Sequence, residues 1–369
     1  MRIRTAACLL LALTACSGGS DPAPRATGAT AAPSTPASSA PPATIAPSAV
    51  SSPSPVISPG AKPLVVAVAD KKGGLSLYAV PPGEHAAALL RRFEPPAKKV
   101  VVAVSLSAAP AATVCAIWRS EPPSGTPNEL ICYSPDVYYG ERVLSKNASR
   151  GVSVRGDGRA VAWTENEANP DLVVADFDGD VAKERTRLRY APAPPPGGLP
   201  EGLADVDWVG PRRIAVNDVA DDDEGKGLCL VDVDKPRAKT AAGFAPCVKP
   251  GPAEQRAGYA YFEEAAGVSD TEVLAIERAK DCFCDDLSNV PGARAVRLRL
   301  TDGAVLGVLA TPRPGRDVVD ISGSDRALLY MTAGKVNYQP TLSLRWAGEP
   351  RGAPLTGLPA DLLLATAQP

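Results

Sequence analysis

One short unit recurs along this chain: a small or polar residue, a leucine-led alternating run, then an acidic or glycine turn. Its copies stand at Gly74–Val80, Glu129–Asp136, Asp171–Gly179, Gly227–Asp234, Ala295–Gly303 and Thr341–Gly348. Alternation of apolar and polar positions is the pattern of a β-strand, and turn residues at its end delimit it. Each copy follows a second apolar run, at Leu64–Ala69, Val114–Trp118, Ala160–Trp163, Arg213–Val216, Glu272–Ile276 and Ala327–Met331. Five of these pairs have a further strand ahead of them, at Val100–Val104, Gly151–Val154, Ala204–Trp208, Gly258–Phe262 and Asp317–Ile321. The first pair lacks one, and the C-terminal run Asp361–Thr366 has no unit of its own. A missing strand and a spare strand explain each other. The chain end is expected to return to the first sheet and remove an exposed edge. Capped helical periodicity is absent, and the alanine-rich run Ala86–Arg92 is the nearest candidate for a helix.

The units follow one another at roughly 40 to 70 residues, the period of propeller blades. The expected fold is therefore all-β: a six-bladed β-propeller over residues 63–369, closed by a C-terminal strand completing the first blade, with seven blades as the alternative count. Ahead of it, residues 16–62 are almost entirely Ser, Pro, Ala, Thr and Gly. From Ser17 onward only Asp21, Arg25 and Lys62 are charged, and no residue is aromatic. Such a segment buries too little apolar surface to offset its ordering entropy and reads as a disordered tether. Fully extended at ~3.1 Å per residue, ~45 residues reach ~140 Å.

The N-terminus carries Arg2 and Arg4, then an apolar stretch from Ala6 to Leu13. That is the layout of an export signal, and it is too short to span a bilayer as a stable helix. Leu13, Thr14, Ala15 and Cys16 supply an aliphatic residue, two small ones and a cysteine. This run resembles the lipobox of bacterial lipoproteins. Small side chains suit a peptidase cleft, and only a thiol takes a thioether lipid. The resemblance implies a signal peptide over residues 1–15, lipidation of Cys16, and an exported protein on the extracytoplasmic face of the cell membrane or outer membrane.

Cysteine usage agrees with export. Cys8 leaves with the signal and Cys16 carries lipid, so Cys115, Cys132, Cys229, Cys247, Cys282 and Cys284 remain. Cys115 and Cys132 lie in two apolar runs joined by a polar loop, and a hairpin between them sets the two thiols opposite each other. Cys229 and Cys247 flank a polar turn in the same way. Both pairs are expected to be structural disulfides. Cys282 and Cys284, with one residue between them, are expected to form a local strained bridge, with a redox role as a lesser option.

The unit running from Gly151 to Trp163 and on through Asp171–Gly179 resembles the TolB-like, or WD40-like, repeats of β-propellers. Asp157 and Gly158 hold the tight turn, and Val161, Ala162 and Trp163 fill the following strand. Arg155 and Gly156 stand where the family has Ser-Pro. Trp208–Val216 keeps the tryptophan and the strand but lacks the Asp-Gly turn, and Ile321–Tyr330 keeps only the pattern. The resemblance implies protein–protein contact in the cell envelope.

The net charge of -2 argues against a nucleic-acid partner. His85 is the only histidine, so a multi-histidine metal site is excluded and a Ser-His-Asp triad would need His85 itself. Beside Pro81, Pro82 and Gly83, it reads as a solvated loop residue. Asp176, Asp178 and Asp180 have the spacing of a calcium loop. Val181 stands where the loop needs Gly, however, and Arg187 where it needs Glu, so a solvated turn is the better reading. Asn217, Asp218 and Asp221–Glu224 form a denser run that leaves weak Ca2+ binding open, and Asp281, Asp285 and Asp286 surround the Cys282–Cys284 pair. Arg155, Gly156 and Asp157 spell an adhesion tripeptide where the repeat needs its turn. Trp118, Trp163, Trp208 and Trp346 all lie in strands and suit core packing. The chain thus reads as a monomeric binding module, without cofactor or assigned catalytic or metal residues, whose end-face loops hold a protein or other envelope ligand. The alternative is a propeller enzyme of lactonase or glycosidase type using carboxylates, and Ca2+, converging at the centre.

Overall fold

Runs such as Leu64–Ala69 are apolar at every position, which suits strands buried on both faces rather than one. In the computed structural model, the described residues are 62–94, 96, 98–107, 113–120, 128–133, 141–166, 171–178, 181–189, 202–219, 227–234, 247–279, 291–335 and 339–368. They are almost entirely antiparallel sheet. Leu64–Asp70 (β1), Leu75–Val80 (β2) and Ala88–Phe93 (β3) form the first sheet with the C-terminal strand Leu362–Gln368 (β23), in the order β23-β1-β2-β3. The pairing of the C-terminal run with β1 follows the sequence expectation, with Val66 opposite Ala367 and Val68 opposite Ala365.

A seven-stranded sheet follows. It runs in order through Lys99–Leu106 (β4), Val114–Ser120 (β5), Asn128–Tyr133 (β6), Glu141–Val154 (β7), Ala160–Glu165 (β8), Asp171–Asp178 (β9) and Val181–Arg189 (β10). The long β7 pairs with β6 through its first half and with β8 through its second. Three four-stranded sheets complete the chain. They are Gly202–Trp208 (β11), Arg213–Val219 (β12), Gly227–Asp232 (β13) and Cys247–Val248 (β14); Tyr259–Gly267 (β15), Glu272–Ala279 (β16), Arg294–Arg299 (β17) and Val305–Ala310 (β18); and Arg316–Gly323 (β19), Ala327–Gly334 (β20), Thr341–Trp346 (β21) and Ala353–Pro354 (β22).

The run Ala86–Arg92, the nearest candidate for a helix, lies largely in strand β3. Nothing caps this run, and the open edge of β2 offers it a ladder from Leu75↔Phe93 to Ala79↔Ala88. Only Phe93 of β3 is buried, so backbone pairing rather than an apolar helix face fixes its conformation. The one α-helix among the described residues, Pro252–Arg256 (α1), starts on proline and buries no side chain.

Alternation along the strands sends successive side chains into different cores. On β1, Val65, Ala67 and Ala69 pack with Val101, Leu106, Val114 and Trp118, while Leu64, Val66 and Val68 pack with Leu329, Met331, Leu344 and Trp346 of the last sheet. On β16, Val273 and Ala275 meet Ala215 and Leu228, whereas Leu274 and Ile276 meet Val318, Ile321 and Leu328. Each fully buried Val, Leu or Ile contributes about 1.5–3 kcal/mol. A one-residue slip of any central strand therefore exchanges two cores at once.

Both expected disulfides form. Cys115 and Cys132 face each other across β5 and β6, and Cys229 and Cys247 across β13 and β14, with Cα atoms 4.0 and 3.9 Å apart. Cys282 and Cys284 fall outside the described residues. The first bridge lies inside a full ladder, but β14 is only two residues long and its pairing with β13 centres on the second bridge. Replacing either pair by alanine is expected to lower unfolding free energy by about 3 kcal/mol in urea titrations. Only Cys229→Ala with Cys247→Ala should also strip hydrogen-exchange protection from Val248. Protection surviving in that variant would show that β14 is held by other contacts.

Candidate binding site

Strands β4, the second half of β7, β11, β15, β19 and β23 lie side by side in succession, and β23 lies in turn against β4. Several carry a bulge where they pair with their own sheet: between Val101 and Ala103, Leu203 and Val206, Glu263 and Ala265, and Val318 and Asp320. Each of these strands pairs on one side only along this stretch, so its N–H groups that point the other way have no ladder bond, and a buried N–H needs another acceptor. Neighbouring strands supply it with a side chain. Val154 N–H donates to Ser105 Oγ (2.9 Å), Trp208 N–H to Ser153 Oγ (3.0 Å), Ala265 N–H to Asp207 Oδ2 (3.3 Å) and Ile321 N–H to Glu264 Oε2 (3.2 Å). Acceptor and donor are consecutive residues within a strand, as with Ser153 and Val154 or Asp207 and Trp208. Asp320 holds the corresponding place before Ile321. Glu264 adopts φ +47°, a conformation L side chains rarely take, and its carboxylate binds the next strand from there. The sequence reading missed this lacing. Its signal is a Ser, Asp or Glu at one fixed place in the first strand of successive units.

A second polar group gathers where β16 ends and β17 begins. Glu277 has no exposed surface and stands directly across from Arg294, whose Nε donates to Glu277 Oε2 at 2.7 Å. The Arg294 guanidinium also lies 4.1 Å from the ring centre of Tyr259, a cation–π arrangement. Glu277 Oε1 has no hydrogen-bond partner among the described residues. Burial pushes the Glu277 carboxyl above its ordinary value, Arg294 pulls it back in part, and Glu254 of α1 pushes it up again. Adjacent Arg278 turns the other way and pairs with Glu263, within electrostatic reach of Tyr261 and Asp317. Asp317 Oδ1 accepts the Ala293 N–H at 2.9 Å and lies 3.9 Å from Lys335 Nζ. A buried carboxyl with one unmet oxygen can keep a proton or receive an N–H or O–H donor.

The remaining residues singled out from sequence find clear places. His85 is a correction: it is half-buried rather than solvated, with Nε2 3.1 Å from Leu344 O and 3.3 Å from Glu349 Oε2 in the last sheet. Thr356 N–H and Oγ1 both donate to His85 O, and Trp346 Nε1 donates to Glu84 O, so the segment after β2 is tied across to the last sheet. The Asp157-Gly158 turn forms as expected. Asp157 Oδ1 accepts Arg159 N–H and Arg155 Nε, each at 2.9 Å, and Gly158 takes φ +71°. Burial pushes the Asp157 carboxyl up, and those bonds outweigh it and hold it below the ordinary range. The adhesion tripeptide is consumed by this turn.

Asp176 sits in the β9–β10 ladder opposite Lys183. The Asp178 side chain, Asp180, Asp221–Glu224, Asp281, Asp285 and Asp286 fall outside the described residues, as does the side chain of Asp218, while Asn217 is buried on β12. Arg187 meets Glu165 (2.6 Å), Asp171 (3.3 Å) and Glu184 (3.0 Å), placing a guanidinium among three carboxylates. Glu165 further accepts Ser145 Oγ and Trp163 Nε1, and these bonds outweigh burial to hold its carboxyl below the ordinary range. No group of three or more His, Cys, Asp or Glu poised for a metal occurs among the described residues. All four tryptophans are buried in the cores, as expected.

No protein-family model and no curated protein sequence matches the chain. Solved structures do. TolB from Acinetobacter baumannii superposes with a TM-score of 0.52 at 10% identity, over 83% of this chain and 66% of that one, so the chain spans slightly under two thirds of its length. A protein of unknown function from Bacteroides caccae gives 0.48 at 8% identity, over 83% and 98%. A protein described as a 6-phosphogluconolactonase from Bacteroides fragilis gives 0.46 at 14% identity, over 81% and 84%. The fold is that of the TolB-like β-propeller proteins.

Glu277 offers a direct measurement. Its folded carboxyl titrates above the ordinary 4.5, so the folded chain keeps a proton that the unfolded chain has lost. The associated stability is therefore present below 4.5 and declines as pH rises through the folded value. Glu277→Gln removes this dependence. In urea unfolding at a series of pH values, wild-type stability relative to the variant should fall across that window, and parallel curves would contradict the assignment.

Proposed function

We propose that the chain is an exported lipoprotein, lipidated at Cys16 and held off the membrane by residues 16–62. It presents a six-bladed β-propeller as a monomeric protein-binding module of the cell envelope. Several observations support the blade count. Each of the six apolar clusters joins parts that follow one another along the chain, and one of them joins the first sheet to the last. Dividing β7 at its two pairings turns the seven-stranded sheet into two blades, and β23 then completes the first.

The observation that carries a binding rather than catalytic reading is the use made of the inner-strand polar groups. An enzyme of lactonase or glycosidase type needs carboxylates free to work at the centre. Here Asp207 and Glu264 each accept a neighbouring strand's N–H, and the lone histidine reaches the last sheet instead. What these groups secure is a rigid disc, and a rigid disc is suited to presenting end-face loops to a partner. Disulfides in two sheets agree with an oxidising compartment outside the cytoplasm.

The test uses intact cells. Wild type should incorporate labelled fatty acid and fractionate with membranes, whereas Cys16→Ala should not. In-cell crosslinking followed by partner identification should then return different partner sets for the two. An unlabelled wild type would remove the anchor, and an unchanged partner set would show that membrane placement does not organise the binding.

A further inference from the structure

The large apolar side chains most exposed among the described residues are Leu89, Leu90, Val143, Leu306 and Val308, and they lie on the end strands β3 and β18 and on the first half of β7, which pairs only with β6. Outermost strands present unpaired backbone N–H and C=O groups, and proteins usually blunt them. Most edges in this chain are blunted. Strands β14 and β22 are two residues long, and β22 ends in Pro354. On β18, the Leu309 carbonyl accepts Arg345 Nη1 of the next sheet at 3.0 Å. On β10, Arg187 is bound up with Glu165, Asp171 and Glu184. The outer half of β7 carries a single exposed aliphatic, Val143, and its Ser145 donates to Glu165.

Strand β3 differs. It is six residues long, ends its sheet, and exposes Ala88, Leu89, Leu90, Arg91 and Arg92 in succession, with the two leucines 59% and 57% exposed. A bulge at Leu90 turns both leucines outward. The backbone just ahead of it already pairs with an extended segment: Ala87 N–H donates to Thr356 O and Thr356 N–H to His85 O, each at 2.9 Å, in a parallel bridge. That segment leaves at Gly357, where φ is +80° and a Cβ would meet Ala87 O at 2.3 Å. The pairing stops there and β3 continues alone.

We propose that the outer edge of β3 docks an extended, acid-bearing segment of another protein by strand addition, with Arg91 and Arg92 meeting its carboxylates. Main-chain pairing supplies the seat, Leu89 and Leu90 supply apolar contact, and the two guanidiniums select the partner. Arg91 is steadied 4.7 Å from the Phe93 ring centre, and neither arginine has an ion-pair partner among the described residues. The same charges oppose a second copy of this chain. Two β3 strands side by side would bring four guanidiniums onto one seam with no carboxylate inside either strand. This surface belongs to an outermost strand and stands apart from the end-face reading above.

The experiment is hydrogen exchange on the full chain, with an eight-residue peptide carrying adjacent glutamates flanked by valines, which places carboxylates on both faces of an added strand, and a counterpart with lysines in their place. The glutamate peptide should slow exchange at Leu89–Arg92 by about tenfold or more, and the lysine peptide should not. In Arg91→Glu with Arg92→Glu, the preference should reverse. Equal protection by both peptides, protection centred on β18, or no protection would overturn the proposal. So would protection of β3 that rises with protein concentration in the absence of peptide, which would assign the edge to self-association.

Discussion

The two-sided burial of β1, β5, β8, β12, β16 and β20 is the constraint on which everything else rests. Each places odd and even positions in two different cores, so each sheet is wedged between neighbours rather than laid on a separate layer. A sheet wedged this way cannot be left at the end of a row without exposing one apolar face. The first sheet escapes that fate because Leu64, Val66 and Val68 pack on the last, and the chain end joins the same sheet as β23. Register and architecture are therefore one problem: the alternation that fixes one strand also fixes which sheet stands on either side.

Wedged sheets crowd at their inner edge, where strands run side by side without a shared ladder. Each such strand has a ladder partner on one side only, and the backbone N–H groups that point the other way lie where water cannot easily reach. Ser105, Ser153, Asp207 and Glu264 answer them one strand at a time. Each such bond contributes only about 0.5–1.5 kcal/mol net, but leaving the donor unmet costs about 1–3 kcal/mol. The polar residues of the inner strands are thus tied to keeping the sheets together, which is why their chemistry reads as structural even where they are acidic. Glu264 takes the same role from a strained backbone.

Much of this order was legible in the residues. Strand alternation, the unpaired first unit, the spare C-terminal run and both cross-strand disulfides could be read because each depends on local spacing. The pairing of Asp157 with Gly158 announced its turn for the same reason. What escaped depends on contacts far apart in sequence. His85 looked solvated beside two prolines, yet its partners Leu344 and Glu349 are more than 250 positions away. The lacing of the inner strands joins residues roughly one unit apart, so no window of ten residues contains it. Ala86–Arg92, the nearest candidate for a helix, is settled by a different contest. Alanine and leucine favour a helix locally, but an open edge on β2 outweighs a few tenths of a kcal/mol of propensity per residue.

Arg187 shows how a motif that fails its template can still be informative. The calcium-loop spacing at Asp176–Asp180 wants a bidentate glutamate where Arg187 stands. In the fold, that arginine is surrounded by Glu165, Asp171 and Glu184, with Ser145 and Trp163 completing the shell of Glu165. The site supplies its own cation. A guanidinium held by three carboxylates offsets one of their charges without a metal and, together with Ser145 and Trp163, holds the Glu165 carboxyl below its ordinary range. Glu277 is the opposite case, with one arginine, no exposed surface and an oxygen left over. The fold therefore treats its buried charges in two ways. Where several acids meet, it shares one guanidinium among them. Where one acid is sealed between sheets, it leaves the carboxyl half-met and shifted upward, the costlier arrangement and the one most open to titration.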